Sequence, residues 1–365
     1  MSLTAFDPPF PWDPAQRNIW RYWGAYRPEL APAFRISLDE GSTPLSEVHE
    51  LAEQLGLERL WLKREDLNPN GTQKDRCAAY QVSWARQHGH ALVTLSSSGN
   101  AALATAAYCA RAGLRLIAQI APQTNALKVR QMLNFGATVV ASREPMRFSR
   151  YIEKVYGIPN LRPSTSPIAP EGYRSLGYEL IESGAPLEAV FLYSSSASTL
   201  VGMAQAFFSY QEAHPDYRPP QIHAVQAGLV NSLAADWGLP GVSDQRSVVG
   251  DLGAKRTRRT AEALEYIRRS GGAVWYVGDE EILAALERLR RLGIDSAYES
   301  AAALAGVARA ARAGRKGPTA CILTGRAYPD LDLPPDPALL NAASFEDLDR
   351  IVASLSALRG DGGGG

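Results

Sequence analysis

The chain has 365 residues, in which 38 Lys and Arg balance 38 Asp and Glu, and 45% of the residues are hydrophobic. This length predicts two domains, and zero formal net charge argues against bulk electrostatic capture of nucleic acid or an anionic membrane. The three cysteines, Cys77, Cys109 and Cys321, give neither a disulfide framework nor a metal-ligand spacing. With no signal-peptide pattern and no long apolar stretch, we expect a cytoplasmic protein without a metal, a nucleic-acid partner or a membrane span.

After an N-terminal arm rich in Pro and Trp, residues 1–40, short apolar runs alternate with helical patterns. Such alternation is typical of parallel sheets flanked by helices, so we expect an α/β fold with two such domains. The predicted strands are 60–62, 92–95, 114–120, 138–141, 190–192, 222–225, 274–277 and 321–323, and the predicted helices are 76–87, 101–112, 128–135, 200–212, 280–292 and 301–313. A short basic run at 255–259 is interpreted as the solvated start of a helix.

Four loops that follow predicted strands carry polar residues, and ligands bind at such loops in open parallel sheets. The first, residues 63–76, places Lys74 at a helix start. The helix dipole there lowers the pKa of an amine toward the neutral form that Schiff-base chemistry needs. Taken alone, this loop still favours a solvated lysine beside Asp75 and Arg76.

The second and third loops combine hydroxyl groups with a helix start, which favours a bound carboxylate or phosphate. Ordinary helix caps and tight connections explain each of them equally simply. The fourth loop places Thr324 at a strand end, where a lone threonine is usually structural. The polar residues are Ser97, Ser98, Gly99 and Asn100 in the second loop, and Ser195, Ser196, Ala197, Ser198 and Thr199 in the third.

Taken together, the loops resemble the fold type II enzymes that use pyridoxal 5'-phosphate (PLP), and most closely the threonine synthase family. The strongest match is residues 68–76, NPNGTQKDR, close to the family's N-P-T-G-S-F-K-D-R. Several motifs in the correct order are more specific than any single loop. Further similar segments are 19–23, 41–45, 96–101, 128–137 and 171–176, while 297–301 and 323–326 resemble the tryptophan synthase β chain.

The resemblance implies PLP as the cofactor, a small amino acid as the substrate, and a role for each loop. Lys74 would form the Schiff base with PLP and move the substrate's α-proton, and Thr324 would face the pyridine nitrogen. A neutral hydroxyl there makes the ring a weaker electron sink, which suits elimination and replacement better than transamination. Asn100 would hydrogen-bond the cofactor's 3'-oxygen, and Glu299 would lie near the ring edge. The cofactor phosphate would be held by Ser195, Ser196, Ala197, Ser198 and Thr199, and the substrate carboxylate by Ser97, Ser98, Gly99 and Asn100.

The resemblance also implies a fold like that of the tryptophan synthase β chain, with a larger PLP-binding domain at 41–88 and 185–345. The smaller, substrate-side domain would be 89–184, and residues 346–365 would form a C-terminal helix and a flexible Gly tail. Because family members are usually dimeric, we expect a homodimer, whose interface the aromatic N-terminal arm could join.

Two departures from the family pattern bear on function. Residues 195–198 replace a glycine-rich phosphate loop, and a positive φ in such a loop would cost Ser or Ala about 1–2 kcal/mol per residue. Where the family holds a substrate phosphate with an Asn-Ser pair and an arginine, this chain has Pro163, Ser164 and Ala169. The change removes a charge-assisted contact.

We therefore expect a PLP-dependent lyase or synthase that performs β-elimination or β-replacement on a small amino acid with an activated side chain. The alternative is threonine synthase itself, which converts O-phosphohomoserine to threonine, although Ala169 counts against it. A third hypothesis is a non-catalytic PLP-fold binding protein. The serine-rich loop supports the third hypothesis, and the joint presence of Lys74, Asn100 and Thr324 counts against it.

Overall fold

The computed structural model describes residues 6–242, 246–250 and 257–357. The strands in chain order are β1 (Leu45–Glu47), β2 (Leu60–Lys63), β3 (Leu92–Ser96), β4 (Arg115–Ile120), β5 (Thr138–Ala141), β6 (Ala189–Tyr193), β7 (Gln221–Gln226), β8 (Val274–Tyr276), β9 (Thr319–Ile322) and β10 (Leu340–Asn341). The α-helices are α1 (His49–Leu55), α2 (Lys74–Gln87), α3 (Asn100–Ala112), α4 (Ala126–Asn134), α5 (Pro145–Tyr156), α6 (Ala169–Glu182), α7 (Ser198–Ala213), α8 (Ser232–Trp237), α9 (Thr260–Arg269), α10 (Asp279–Arg291), α11 (Tyr298–Arg312) and α12 (Phe345–Ala357). Short 3-10 helices lie at Ile19–Ala25, Pro32–Phe34 and Glu65–Leu67.

The chain divides into two compact units, each formed by two segments. The first unit comprises Met1–Gln81 and Pro163–Tyr328, and the second comprises Val82–Arg162 and Pro329–Gly365. Residues 163–184 are predicted in the smaller domain but belong to the first unit, because α6 packs along α7. Residues 82–88 and 329–345 are predicted in the larger domain but belong to the second unit, where β10 pairs with β5. The Gly tail at 360–365 lies outside the described residues.

The first unit contains a six-stranded sheet in the order β1-β2-β9-β6-β7-β8, in which only the β1–β2 pair is antiparallel. Successive side chains of a strand point to opposite faces, so Phe191 and Leu192 enter two different hydrophobic clusters. Helices α10 and α11 cover the Phe191 face, and α7 and α9 cover the Leu192 face. The carboxyl ends of the parallel strands, where ligands bind in such folds, therefore meet at one edge of this sheet.

The second unit contains a four-stranded parallel sheet in the order β10-β5-β4-β3. Its core joins Ile117 and Val140 of the sheet to Phe148 of α5 and to Val352 of α12. The predicted α/β fold with parallel-rich sheets is confirmed.

The N-terminal arm packs on α6 and α7 within the first unit. Tyr22 lies against Tyr178, with 5.6 Å between the ring centres, and Phe6 stacks on Tyr210 at 5.8 Å. Trp20 is buried and donates its indole N–H to the carbonyl oxygen of Ile36, at 2.8 Å. The arm's aromatic residues thus have partners within their own chain.

Several elements are missing from the sequence prediction, most importantly α6. Its start lies in a Pro-rich segment, and Pro170 occupies its first turn, where the missing backbone N–H costs nothing. The other unpredicted elements are β1, β10, α1, α5 and α8, while only the start of α9 is predicted.

No helix among the described residues is long and apolar enough to cross a membrane. The same residues contain no group of three or more His, Cys, Asp or Glu side chains that could hold a metal ion.

We predict that Gly202→Ala lowers the free energy of unfolding by about 1–3 kcal/mol, because a new methyl group overpacks the α6–α7 contact. A Cβ atom at Gly202 would lie 2.1 Å from the carbonyl oxygen of Pro170. Gly278→Ala is the control, since its Cβ would meet nothing within 4 Å. Urea unfolding measures both, and equal stability of the two variants would contradict the close contact.

Candidate active site

Lys74 is the first residue of α2 and follows a loop of tight turns. Gly71 adopts φ +69°, and the Lys74 amide donates to the Thr72 hydroxyl at 3.2 Å. Burial lowers the pKa of the Lys74 amine, whereas nearby Cys77 and Glu299 act to raise it. The Lys74 Nζ atom lies 5.6 Å from the centre of the Tyr173 ring. An amine in this setting gives up its proton more readily than a solvated lysine does.

A buried network of charges lies directly behind this loop, and Arg76 is at its centre. The fully buried Arg76 guanidinium donates to Glu65 at 2.7 Å and to Glu179 at 2.6 Å. Lys63 donates to the second Glu179 oxygen, also at 2.6 Å. Three members of this network, Lys63, Glu65 and Arg76, lie in the predicted loop at 63–76. The network itself is not predicted, because Glu179 lies 103 positions after Arg76.

Asn70 replaces a threonine of the family pattern, and the structure shows what it contacts. Its side-chain amide donates to Asp75 Oδ1 at 2.5 Å, and its backbone N–H donates to Asp75 Oδ2 at 3.1 Å. Burial raises the pKa of the Asp75 carboxyl to about 7, although both of these hydrogen bonds act to lower it. Asn70 therefore holds the buried carboxyl group of Asp75, the residue that follows Lys74.

Thr324 is held against the same loop. Its carbonyl oxygen accepts from the Gln73 N–H at 3.0 Å and from the Thr72 hydroxyl at 3.3 Å. The next residue, Gly325, exchanges hydrogen bonds with the Ser300 hydroxyl at 3.0 and 3.1 Å. Since Ser300 follows Glu299, three predicted site residues, Lys74, Thr324 and Glu299, are attached to one edge of the first unit's sheet.

The serine-rich loop connects β6 to α7 at the same edge. Ala197 has φ 61°, in the left-handed region, so the strain expected for a non-glycine residue falls at this one position. The Ser198 hydroxyl donates to the carbonyl oxygen of Pro163 at 2.8 Å. The Thr257 hydroxyl donates to the carbonyl oxygen of Ser196, also at 2.8 Å. This loop is thus fixed by two other segments, through the backbone carbonyl of Pro163 and the side chain of Thr257.

The remaining predicted residues lie in the second unit, at the end of β3. Gly99 is the N-cap of α3, and its N–H donates to the Ser97 hydroxyl at 3.3 Å. The Ser98 hydroxyl accepts from the Ala121 N–H at 2.8 Å. The buried Oδ1 atom of Asn100 has no hydrogen-bond partner in the described part of the chain. An orphaned buried oxygen of this kind fits a ligand that donates a hydrogen bond.

One interpretation from the sequence is only partly right. Helix α9 does begin directly after the basic run, and Arg258 is exposed, but the run as a whole is not solvated. In the basic run at 255–259, Thr257 and Arg259 are buried, with 9% and 7% of their surfaces exposed. Both donate to backbone carbonyl groups near the serine-rich loop, and a charge pattern alone gives no signal of that. Residues 255 and 256 lie outside the described residues.

Comparisons with known proteins identify the family of the chain. A profile described as pyridoxal-phosphate dependent enzyme matches residues 36–325. Threonine synthase from Methanosarcina acetivorans is 29% identical over 89% of this chain and 84% of its own. Threonine synthase from Bacillus sp. strain ULM1 is 27% identical over 92% of this chain and 97% of its own.

Among solved structures, an O-acetylserine dependent cystathionine beta-synthase from Helicobacter pylori is similar, with a TM-score of 0.65. It is 20% identical and covers 79% of this chain and 93% of its own, so it supports the fold alone. The family profile spans most of the chain, and the chain therefore belongs to the pyridoxal-phosphate dependent enzyme family. It is a PLP-dependent lyase or synthase.

We predict that Glu179→Gln lowers the free energy of unfolding by about 3–5 kcal/mol, because it leaves buried cations without their counter-charge. Burial acts to raise the pKa of Glu179, but the charges of Arg76 and Lys63 prevail and lower it to about 2. The stability that Glu179 supplies should accordingly be present above pH 4.5 and be lost as the pH falls toward 2.

The control is Glu144→Gln. Glu144 pairs with Arg147, and the two side chains are 53% and 60% exposed, so the loss should be about 1 kcal/mol or less. Unfolding of each variant is followed at neutral and acid pH. Equal losses at the two positions would contradict the network's role.

Proposed function

We propose that this enzyme catalyses β-elimination or β-replacement on a small amino acid with an activated side chain. The observation that carries the proposal is the attachment of Thr324 to the Lys74 loop. Bound PLP supplies the electron sink for this chemistry. The protein would then contribute an amine that holds the cofactor covalently and a neutral hydroxyl that faces its pyridine nitrogen.

Lys74 supplies the amine. Its lowered pKa raises the share of the neutral amine. This form would hold the cofactor covalently and, once displaced by the substrate's amino group, would accept a proton at Nζ. Tyr173, below the ammonium group, stabilises the charged form after the proton arrives. The same side chain can therefore accept and return the substrate's α-proton.

Thr324 supplies the hydroxyl that we assign to the pyridine nitrogen. A hydroxyl cannot hold a proton on that nitrogen as a carboxylate does, so the ring withdraws fewer electrons. The arrangement favours the departure of a leaving group over transamination. On the family resemblance we assign Asn100 to the cofactor's 3'-oxygen, Glu299 to the ring edge, and Ser97, Ser98 and Gly99 to the substrate carboxylate.

Threonine synthase is the second candidate, favoured by curated relatives of that name that span nearly the whole chain. Ala169 counts against it, because this residue stands where the family's phosphate-binding arginine is expected. It is fully buried at the start of α6. A methyl group there offers no charge to a substrate phosphate. Family membership also supports a homodimer in the cytoplasm, which we include in the proposal.

We predict that Lys74→Ala abolishes the yellow absorbance of the lysine-bound cofactor and the covalent adduct that borohydride traps. The only primary amine assigned to the cofactor is then gone. Lys316→Ala is the control, since Lys316 is exposed and far along the chain. Absorbance spectra and intact mass after reduction measure both variants. A trapped adduct in Lys74→Ala at the wild-type level would refute the assignment.

We further predict release of the side-chain leaving group from O-acetylserine or O-phosphoserine, and no threonine from O-phosphohomoserine. The measurement is NMR of the reaction mixture, with Lys74→Ala as the inactive control. Threonine from O-phosphohomoserine without release from either serine derivative would establish the second candidate. It would overturn the proposed reaction.

A further inference from the structure

Arg259 is a buried arginine that the proposed reaction does not use. It is the N-cap residue of α9, and 7% of its surface is exposed. Its guanidinium donates to the carbonyl oxygen of Pro163 at 3.1 Å and to that of Ser166. Both acceptors are neutral. Within the described residues, no carboxylate forms an ion pair with it.

A comparison with Arg76 shows why this is unusual. Arg76 is also buried, and two carboxylates neutralise its charge. Burial lowers the pKa of Arg259, and neighbouring Cys77 and Glu262 raise it only in part. A buried cation without a counter-ion is costly in a protein interior. Such a group is explained most simply by an anion that binds beside it.

The surroundings of Arg259 point to the serine-rich loop as the place where that anion binds. The carbonyl oxygen of Pro163 that accepts from Arg259 also accepts from the hydroxyl of Ser198, the first residue of α7. Thr257, two residues before Arg259, donates to the carbonyl oxygen of Ser196. The guanidinium and the start of α7 thus meet at one shared oxygen atom.

The loop itself offers unused hydrogen-bond donors. In the described part of the chain, the backbone N–H groups of Ser196, Ala197 and Ser198 have no acceptor. The Ser194 hydroxyl oxygen is 3% exposed by residue and also lacks a partner there. Consecutive free N–H groups at a left-handed turn before a helix form a concave anion site.

We propose that Arg259 is an anion-binding residue that completes this site with a charge the serine-rich loop cannot supply. The ligand is a phosphate-class dianion, either the cofactor's phosphate or an anionic group on the substrate's side chain. If the anion belongs to the substrate, this proposal rests on the proposed function. If the anion is the cofactor's phosphate, it does not. In either case an arginine from a distant part of the chain contacts the segment at 163–166. That segment precedes Ala169, where the family's arginine is missing.

The first test measures the dissociation constants of PLP and of pyridoxal, which lacks the phosphate, for the full-length protein by dialysis. If the anion is the cofactor's phosphate, Arg259→Gln weakens PLP binding by about 10-fold to 100-fold, the range of a lost charge-assisted hydrogen bond. Pyridoxal binding then changes less than about 2-fold. Arg258→Gln, the same charge change at an exposed neighbour, leaves both constants unchanged.

The second test measures the rise in melting temperature of the holoenzyme with inorganic phosphate. If the anion belongs to the substrate, PLP binding is unchanged in Arg259→Gln, but the phosphate-induced rise is lost, while Arg258→Gln keeps it. The proposal is overturned if Arg259→Gln changes neither PLP binding nor the phosphate effect. It is equally overturned if PLP and pyridoxal weaken alike, since a purely structural arginine would give that result.

Circular dichroism verifies that each variant is folded. If Arg259→Gln does not fold, the same binding measurements are made on Arg259→Lys. Lysine keeps the charge but lacks the planar guanidinium that binds phosphate through two N–H groups. Weaker PLP or phosphate binding at unchanged pyridoxal binding supports the proposal, and wild-type values for all three overturn it. These are binding measurements, so their outcome is separate from whether serine derivatives react.

Discussion

The active-site loop is held by a buried ion network of Lys63, Glu65, Arg76 and Glu179. They join the end of β2, the loop before α2, the first turn of α2 and the last turns of α6. A buried ion network contributes little net stability relative to an apolar core, but removing one member is costly. It therefore allows one arrangement of these elements. The loop from Lys63 to Arg76, which carries Lys74, has a member of this network at each end.

The network also determines where Lys74 and Thr324 lie. Arg76 cannot move without losing two carboxylates, so Lys74, two residues earlier, emerges from α2 at a defined point. Burial at that point lowers the pKa of its amine. Hydrogen bonds from Gln73 and Thr72 then carry the constraint to Thr324. The backbones of the residues that carry the amine and the hydroxyl are thus held by contacts within the chain.

Much of this site could be predicted from the sequence, because local signals were strong. The alternation of strands and helices predicted the α/β fold, and the motif at 68–76 marked Lys74. The turn at Ala197 was expected to be strained if its φ were positive, and its φ is 61°. Each of these features depends on residues close together in the chain.

What could not be predicted depends on long-range partners. Glu179 lies about a hundred positions after Arg76 in the chain, and no periodicity relates them. Helix α6 is not predicted, because prolines usually mark loops. Pro170 nevertheless fits the first turn of a helix. Arg259 was interpreted as solvated because a short basic run usually is. Its burial follows from the segment at 163–166, which supplies its acceptors.

The most direct test of the central claim is peptide mapping by mass spectrometry after borohydride reduction of the wild-type holoenzyme. The sequence offers six lysines as attachment points, at positions 63, 74, 128, 154, 255 and 316. The account predicts the phosphopyridoxyl mass on the peptide that contains Lys74, with the other lysine peptides unmodified. A label on Lys63 or on any other lysine in place of Lys74 would contradict it.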